Sequence, residues 1–360
     1  MQSTSTIFSK TTFALSTAVA CLFYIGYELN RENFYALLTC FSILFVAYYF
    51  LVKSAKTESL NQLLVIAALF RLFFLFSIPS LSDDYYRFIW DGQLLANDIN
   101  PFDYLPSEVT IDFPNKAELL AGMNSPNYYT VYPPIAQIVY LFSAWLSPNS
   151  ILGSVMVMRT IIIAAEIGIL LLLPKLLRLI NMSPVNSLWY ALNPLVIVEL
   201  SGNLHFEGIV LFFFLLAVYL LALNKEKLSA VAWAFAAATK LIPIFFLPII
   251  LRKLSIKKAI AFYFIFGAAF IVLWIPLYNS TLLPHFLESV SLYSKTFEFN
   301  ASVYYLVRAI GYQVTDYNII QTAGPWLARI AYVGILVLLL KKNGSSEVFA
   351  RVDVQEDQYQ

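Results

Sequence analysis

Charged residues are scarce in this sequence of 360 residues. Asp, Glu, Lys and Arg make up only 12% of the chain, against roughly a quarter of an ordinary soluble domain. Apolar residues reach 60%, above the roughly 45–50% that is usual. This composition excludes an ordinary soluble domain and predicts an integral membrane protein.

Neither sign of charge is in excess, and cysteine and histidine are almost missing. The formal net charge is +1, which points to neither nucleic acid nor an acidic partner, so no nucleic-acid partner is expected. The two cysteines, Cys21 and Cys40, lie inside apolar segments, where a disulfide framework or a metal site is hard to build. No Gly-rich phosphate loop or zinc spacing is present, which argues against a nucleotide-binding catalytic domain.

Long apolar runs recur along the chain and predict membrane-spanning helices. A helix needs about 20 apolar residues to cross a hydrocarbon core of about 30 Å. The period-2 alternation of an outer-membrane barrel is absent, so the backbone is expected to satisfy its hydrogen bonds within helices. The predicted fold class is all-α, a polytopic transmembrane helical bundle. Its ten hydrophobic segments are residues 12–28, 34–52, 61–79, 132–147, 151–173, 185–200, 206–223, 228–251, 259–278 and 326–341.

Basic residues in short loops predict the orientation, because such loops stay preferentially in the cytoplasm. Three crossings from a cytoplasmic N-terminus then place residues 80–131 outside. This loop holds eight Asp or Glu residues and only two basic ones. The basic residues that mark cytoplasmic loops are Lys53, Lys56, Lys175, Arg178, Lys225, Lys227, Arg252, Lys253, Lys257, Lys258, Lys341 and Lys342.

Ten simple crossings cannot put all these basic loops on one side. Segment 132–147 is short for a span, and segment 228–251 is interrupted at Lys240 and by two prolines. We predict that the first stays on the outer side and that the second forms two half-helices meeting at a bend. Residues 203–207 and Lys240 then lie on the same outer side as the acidic loop.

The acidic loop begins with three carboxylates next to an apolar segment. Residues 82–92 read Ser-Asp-Asp-Tyr-Tyr-Arg-Phe-Ile-Trp-Asp-Gly, and charges so close to hydrocarbon are by default candidates for a functional site. An ordinary solvated loop is the alternative. The spacing over residues 82–96 predicts a helix lying along the interface, with Asp84, Arg87 and Asp91 on one side. Arg87 either keeps its neighbouring carboxylates ionised or forms a plain surface salt bridge.

Other polar residues also allow a structural interpretation. For Asn203 and its neighbours the alternative is a plain connection between two helices. For Lys240 the alternative is a side chain that extends from a helix end toward the lipid headgroups. Arg159 and Glu166 lie seven positions apart on one helix face, inside an apolar segment. They are expected to point into the bundle, in a structural or a lipid-phosphate-binding role.

The order of six short motifs resembles the GT-C superfamily of integral membrane glycosyltransferases. Within it the chain is most similar to polyprenol-phosphate-mannose-dependent mannosyltransferases of bacteria, and more distantly to the catalytic subunit of GPI mannosyltransferase I. The resemblance covers roughly residues 60–335. The motifs are Ser82-Asp83-Asp84-Tyr85-Tyr86 through Asn100-Pro101-Phe102, Tyr132-Pro133-Pro134, Leu192-Asn193-Pro194-Leu195, Gly202-Asn203-Leu204-His205-Phe206-Glu207, Thr239-Lys240-Leu241-Ile242-Pro243 and Phe299-Asn300-Ala301-Ser302-Val303-Tyr304-Tyr305.

The resemblance implies transfer of a hexose, mannose by analogy, from a polyprenyl-phosphate-linked donor to an extracytoplasmic glycan or glycolipid, with inversion. It implies one carboxylate as general base. Asp84 with Phe88 four residues later fits the family's spacing, and Asp83 is the close alternative. Lys240, His205 and Arg308 are the candidates at the leaving phosphate, with Asn203 and Asn300 around sugar or phosphate. The remaining predicted substrate-binding residues are Arg87, Asp91, Tyr132, Glu207 and Tyr304, and Arg87 and Asp91 are also expected to hold the interfacial helix in shape.

The sequence also predicts the domain organisation and the cellular location. Residues 1–341 are predicted to form a single transmembrane domain with outer loops at 80–131 and 280–325, and residues 342–360 a disordered polar tail. The expected location is a bacterial inner membrane with the site facing outside. No cofactor or metal ligand is assigned, although Asp83 and Asp84 leave a divalent cation open, and protein partners stay unassigned. The alternatives are a secondary transporter, and a non-catalytic or shortened GT-C-like subunit.

Overall fold

The computed structural model describes residues 2–296, 298 and 302–340. All regular structure in these residues is helical, which confirms the predicted all-α class. The predicted tail at 342–360 lies outside the described residues. The α-helices are α1 (Gln2–Tyr27), α2 (Phe34–Ser54), α3 (Leu60–Leu72), α4 (Asp84–Ala96), α5 (Lys116–Gly122), α6 (Pro134–Leu146), α7 (Ile151–Leu179), α8 (Leu188–Ala191), α9 (Pro194–Val196), α10 (Glu207–Ala222), α11 (Glu226–Thr239), α12 (Ile250–Lys253), α13 (Ile256–Trp274), α14 (Leu282–Thr296), α15 (Ser302–Thr315) and α16 (Ile320–Leu340).

Shorter helical turns connect these helices. Five are of the 3-10 type, and one is a π-helix. The 3-10 turns are Thr57–Ser59, Pro106–Glu108, Pro184–Ser187, Ile242–Ile249 and Ile275–Leu277, and the π-helix is Ile197–Gly202.

Four helices of the described chain are long and apolar enough to cross a membrane. They lie in α2, α7, the segment Ile256–Leu277 that begins with α13, and α16. The count rises to five if Pro194–Gly202 and Glu207–Ala222, which meet at an angle of 112°, form one broken span. The ten predicted segments are thus not all full-length spans, and several are shorter or interrupted helices.

Proline explains two of the interruptions. Pro194 begins a new short helix, α9, because a proline at the first helical position needs no amide partner. In predicted segment 228–251, α11 ends at Thr239 and Lys240 takes an extended conformation. Pro243 and Pro248 then hold the following turn in 3-10 geometry. The bend that the sequence predicts at Lys240 is present.

The helices pack into three main apolar clusters. One joins α1, α2 and α3, a second joins α4, α6 and α7, and a third joins α10, α11 and α13. Helix α10 also packs on α7. The first cluster also takes in residues of α8 and of the π-helix, and the second includes Leu204 and Phe206.

A fully buried ion pair connects α3 to α7. Arg71 Nε lies 2.9 Å from Glu166 Oε2, and both side chains are inaccessible to solvent. Arg71 also donates to the carbonyl of Ala191, while the Tyr190 hydroxyl donates to the other oxygen of Glu166. An unpaired charge in lipid is costly, so these contacts favour the structural role for Glu166.

Helix α4 is a core element of the protein, and its position along the membrane interface stays a prediction. Residues 87–94 are buried, including the face that carries Arg87 and Asp91. The helix crosses α6 at Gly92, where a Cβ atom would lie 2.3 Å from the carbonyl oxygen of Tyr140. Glycine therefore permits a backbone contact that no other residue allows.

Candidate active site

Three aromatic rings connect the acidic loop to residues 203–207. Phe88, one turn after the start of α4, stacks on Tyr140 of α6 with ring centroids 4.8 Å apart. Both rings meet Phe206 edge-on, at 5.3 and 5.1 Å. All three rings are buried. Since such contacts add to burial, the cluster fixes the start of α4 beside the residues that flank Phe206.

The two leading carboxylates have different environments. Asp83 precedes α4 and forms an ion pair with Arg31, at 2.8 Å between carboxylate and guanidinium. Asp84 is the first residue of α4 and accepts a hydrogen bond from the Asn124 side chain, at 3.1 Å. No ion pair is formed by Asp84 in the described part of the chain. Each carboxylate accepts one side-chain hydrogen bond, but only the partner of Asp83 is a cation.

The π-helix places a carboxylate beside His205. Glu199 Oε2 lies 3.1 Å from His205 Nδ1 and accepts a second hydrogen bond from Asn203. The backbone amide of His205 also donates to the carbonyl of Glu199. Leu204 between them is buried and has a φ of 60°, which is costly for a bulky side chain. A π-turn and a strained residue occur together here, a combination typical of functional sites.

Lys240 and Glu207 form a second ion pair, on the bend after α11 and at the start of α10. Both side chains are about half exposed. Glu207 lies two residues after His205, and the contact between the Phe88 and Phe206 rings places the start of α4, and with it Asp84, beside this segment. The structure therefore brings together Asp84, Asn203, His205, Glu207 and Lys240, five of the twelve predicted site residues.

An apolar cavity of about 530 Å³ opens beside this polar group. Its walls come from the π-helix, α10 and the 3-10 turn after Lys240. Among the residues that the structure describes, three charged ones line the cavity, and they are Glu199, Glu207 and Lys240. The volume is in the range of small-molecule binding sites. The apolar lining residues are Leu195, Val196, Leu200, Val210, Leu211, Phe214, Ile242, Pro243 and Phe246, with Tyr190 at the wall.

One buried guanidinium connects the two backbone segments of the site. Arg159 of α7 donates to the carbonyls of Ser201 and Gly202, at 2.6 and 2.9 Å. It also donates to the carbonyls of Leu75 and Ser77, which precede the acidic loop. A cation at the carbonyl end of a helix is favourable. Arg159 thus has a structural role within the protein.

Three other predicted site residues lie in the core beneath this group. Arg87 and Asp91 are paired at 2.8 Å and almost fully buried, which excludes the surface salt bridge. Asp91 also accepts hydrogen bonds from Thr130 and Gln137. The Tyr132 ring packs edge-on against Phe88. These contacts agree with the expectation that Arg87 and Asp91 hold the helix in shape, and their substrate-binding role stays a prediction.

The remaining predicted residues belong to the later outer loop. Arg308 pairs with Glu298 and packs on the Tyr305 ring, while Tyr304 donates to Asn318. These contacts lie within the loop itself. Asn300 lies outside the described residues. Roles for these three residues in substrate binding stay predictions.

Sequence reasoning missed Glu199 and Arg31. Glu199 is the lone carboxylate of an apolar run, and such a residue is a functional candidate by default. That signal was available for Glu199. Arg31 lies 52 positions from Asp83, and only the fold brings them together.

The arrangement offers the groups that a displacement at a sugar carbon requires. A partly exposed carboxylate, Asp84, can accept a proton, while Lys240 and His205 can meet a negative leaving group. In the described residues, no cluster of three or more His, Cys, Asp or Glu side chains has a geometry suited to a metal ion.

Comparison with known proteins gives one family. A family model of the MptA_B family, described as alpha-(1->6)-mannopyranosyltransferase, N-terminal domain, matches residues 14–254. This range contains the acidic loop, the π-helix and Lys240. No curated protein and no solved structure matches the chain.

Proposed function

Since the chain belongs to the MptA_B family of alpha-(1->6)-mannopyranosyltransferases, we propose that it moves mannose from a polyprenyl-phosphate donor to an extracytoplasmic glycan or glycolipid. Family membership establishes a mannosyltransferase and agrees with the resemblance drawn from the motifs. The donor class, the acceptor class, inversion and the outward orientation belong to the proposal. The proposed location is the bacterial inner membrane.

The apolar cavity beside Lys240 supports a lipid-linked donor. A polyprenyl chain needs an apolar channel, and its phosphate needs a cation where the channel ends. The 530 Å³ cavity has apolar walls and carries Lys240 among its few charged residues. In the proposed arrangement the prenyl chain lies along α10 and the 3-10 turn, and the phosphate lies at Lys240 and His205. A nucleotide-sugar would find few polar partners along this wall.

The proposed reaction is a single displacement at the anomeric carbon. Asp84 accepts the proton of the acceptor hydroxyl while the acceptor oxygen bonds to C1 of mannose. The bond from C1 to the phosphate oxygen breaks, and its electron pair stays on the phosphate. Charge therefore grows on the phosphate in the transition state, where cations are most effective. One displacement inverts the configuration at C1.

The single observation that supports this proposal best is the position of Asp84. Asp84 begins the helix whose Phe88 ring packs on Phe206, the residue between His205 and the Glu207–Lys240 pair at the apolar cavity. A base and a phosphate-binding group must face one reacting carbon from opposite sides. Asp83 is the alternative base, but its ion pair with Arg31 leaves it less available.

Replacing Asp84 by asparagine tests the proposal. We expect Asp84→Asn to lower transfer by about 100-fold or more, because an amide cannot accept the acceptor proton. Transfer is measured in proteoliposomes as radiolabelled mannose moved from polyprenyl-phosphate-mannose to an α-mannoside acceptor. Asp83→Asn is expected to retain more activity than Asp84→Asn.

Asp112→Asn is the matched control, since Asp112 is an exposed carboxylate of the same loop. It should retain wild-type transfer. Wild-type turnover by Asp84→Asn would contradict the assignment of the base. Uptake of a free solute without any glycosyl transfer would instead favour the secondary transporter.

A further inference from the structure

The contact between Glu199 and His205 has a geometry that orients an imidazole. His205 has two ring nitrogens, and Nδ1 faces the Glu199 carboxylate at 3.1 Å. When one ring nitrogen is bonded to a carboxylate, the orientation of the ring is fixed and the other nitrogen is left for a substrate. Here the nitrogen left for a substrate is Nε2.

The backbone around Glu199 and His205 adopts conformations that cost free energy. The π-helix Ile197–Gly202 departs from ordinary α-helical hydrogen bonding, and Leu204 adopts a left-handed conformation with its side chain fully buried. A left-handed leucine costs about 1–3 kcal/mol. An ordinary helical connection would avoid both features. Together they turn His205 back onto Glu199, as the hydrogen bond from the His205 amide to the Glu199 carbonyl confirms.

The surrounding charges favour the protonated ring. Burial of the ring opposes its charge, whereas the carboxylates of Glu199, Glu207 and Asp84 favour it, and together these effects raise the pKa of His205. Lys240 is the cation paired with Glu207. Carboxylates close to an imidazole stabilise the imidazolium. In that form Nε2 carries a hydrogen and can donate it to a phosphate oxygen.

We propose that Glu199 is a positioning residue that holds the His205 imidazolium against the leaving phosphate. This inference rests on the proposed function. In the displacement step, Nε2–H of His205 donates a hydrogen bond to the phosphate oxygen that receives the electron pair of the broken C1–O bond. Glu199 touches neither sugar nor acceptor in this arrangement, and it acts through the ring.

Kinetic coupling distinguishes this role from a structural one. Glu199→Gln should lower kcat roughly 100-fold, the cost of a misplaced catalytic group, and should change KM for the donor less. His205→Gln should have an effect of similar size. In the His205→Gln background, Glu199→Gln should have almost no further effect, because groups that act as one unit are not additive.

Two control variants test whether the effect is specific to the contact between Glu199 and His205. Glu226→Gln removes another carboxylate that pairs with a lysine, Lys258, and should leave kcat unchanged. Asn203→Ala removes the other side chain bonded to Glu199. Equal effects of Glu199→Gln in the wild-type and His205→Gln backgrounds would overturn the proposal. Coupling to Asn203 in place of His205 would overturn it as well.

A nitrogen NMR measurement tests the contact without any transfer assay. The chain contains two histidines, so protein labelled with ¹⁵N-histidine gives two sets of ring signals. His285, whose Nδ1 lies 2.7 Å from the carbonyl oxygen of Phe102, is the internal reference. We expect Glu199→Gln to make His205 lose its ring proton at lower pH and to leave the His285 signals unchanged. Unchanged His205 signals would overturn the inference, whereas wild-type protein without transfer activity would contradict only the proposed function.

Discussion

At the scale of single residues, the site consists of carboxylates with different partners. Asp83 has Arg31, Glu207 has Lys240 and Glu199 has His205. Asp84 has only a neutral amide from Asn124. A carboxylate that already pairs with a cation is less available to a substrate. The contrast with its neighbours is therefore what singles out Asp84.

Lys240 is expected to act on the donor. Lys240→Ala should raise KM for polyprenyl-phosphate-mannose by about tenfold, since it removes a charged contact worth about 1.5 kcal/mol or more. Lys240→Arg should retain part of the affinity. Transfer rates at varied donor concentration measure both effects.

Lys258→Ala is the control for Lys240→Ala. Lys258 pairs with Glu226 at the other end of α11, about 20 Å away for a helix of this length. This variant should keep the wild-type KM. If Lys240→Ala also keeps the wild-type KM and kcat, Lys240 is only a side chain that extends toward headgroups.

At the scale of elements, the site depends on ends and breaks of helices. α4 begins at Asp84, α11 ends one residue before Lys240, and the π-helix ends one residue before Asn203. Helix ends carry unpaired backbone groups, which need partners or ligands. Arg159 supplies partners for four carbonyls in the segments before Asp83 and before Asn203. Beside the aromatic cluster of Phe88, Tyr140 and Phe206, one side chain of α7 therefore also connects the two halves of the site.

Arg159→Met should destabilise the protein and impair transfer together. The variant leaves four carbonyls without their donor, at a cost of about 3 kcal/mol or more. Thermal unfolding in detergent should show a lower Tm, and the residual folded protein should transfer mannose more slowly. Arg178→Met is the control, because Arg178 lies exposed in the last turn of the same helix. An unchanged Tm for Arg159→Met would contradict the role of Arg159 as a connection.

At the scale of the whole molecule, we propose that residues 1–341 act as one domain. The family match ends at residue 254, yet α16 packs on the 3-10 turn Ile242–Ile249 and on α14. Ser289 of α14 donates to the carbonyl of Tyr129 in the acidic loop, and the His285 ring stacks on the Tyr129 ring. The later helices thus contact both the acidic loop and the turn after Lys240, which belong to the matched region.

The proposed orientation can be tested by cysteine labelling. In a background where Cys21 and Cys40 are replaced by alanine, Asp112→Cys should react with a membrane-impermeant maleimide in intact cells. Lys257→Cys should react only after the membrane is permeabilised. Both positions are exposed in the structure. Labelling of Lys257→Cys in intact cells would contradict a cytoplasmic location for this loop.

The sequence by itself determined the class of protein and the candidates for its chemistry. Low charge predicts a membrane protein, apolar runs predict helices, and proline predicts the break at Lys240, because each of these is a local property. Asp84, His205 and Lys240 were identifiable because polar residues are costly beside lipid.

Only the tertiary structure decided which charges pair with each other. Arg31 lies 52 positions from Asp83, and Arg71 lies 95 positions from Glu166. No local pattern connects residues so far apart in the sequence. The burial of α4 also depends on packing between helices. Periodicity within one segment shows which face is polar, but the neighbouring helices decide whether that face meets water, lipid or a buried partner.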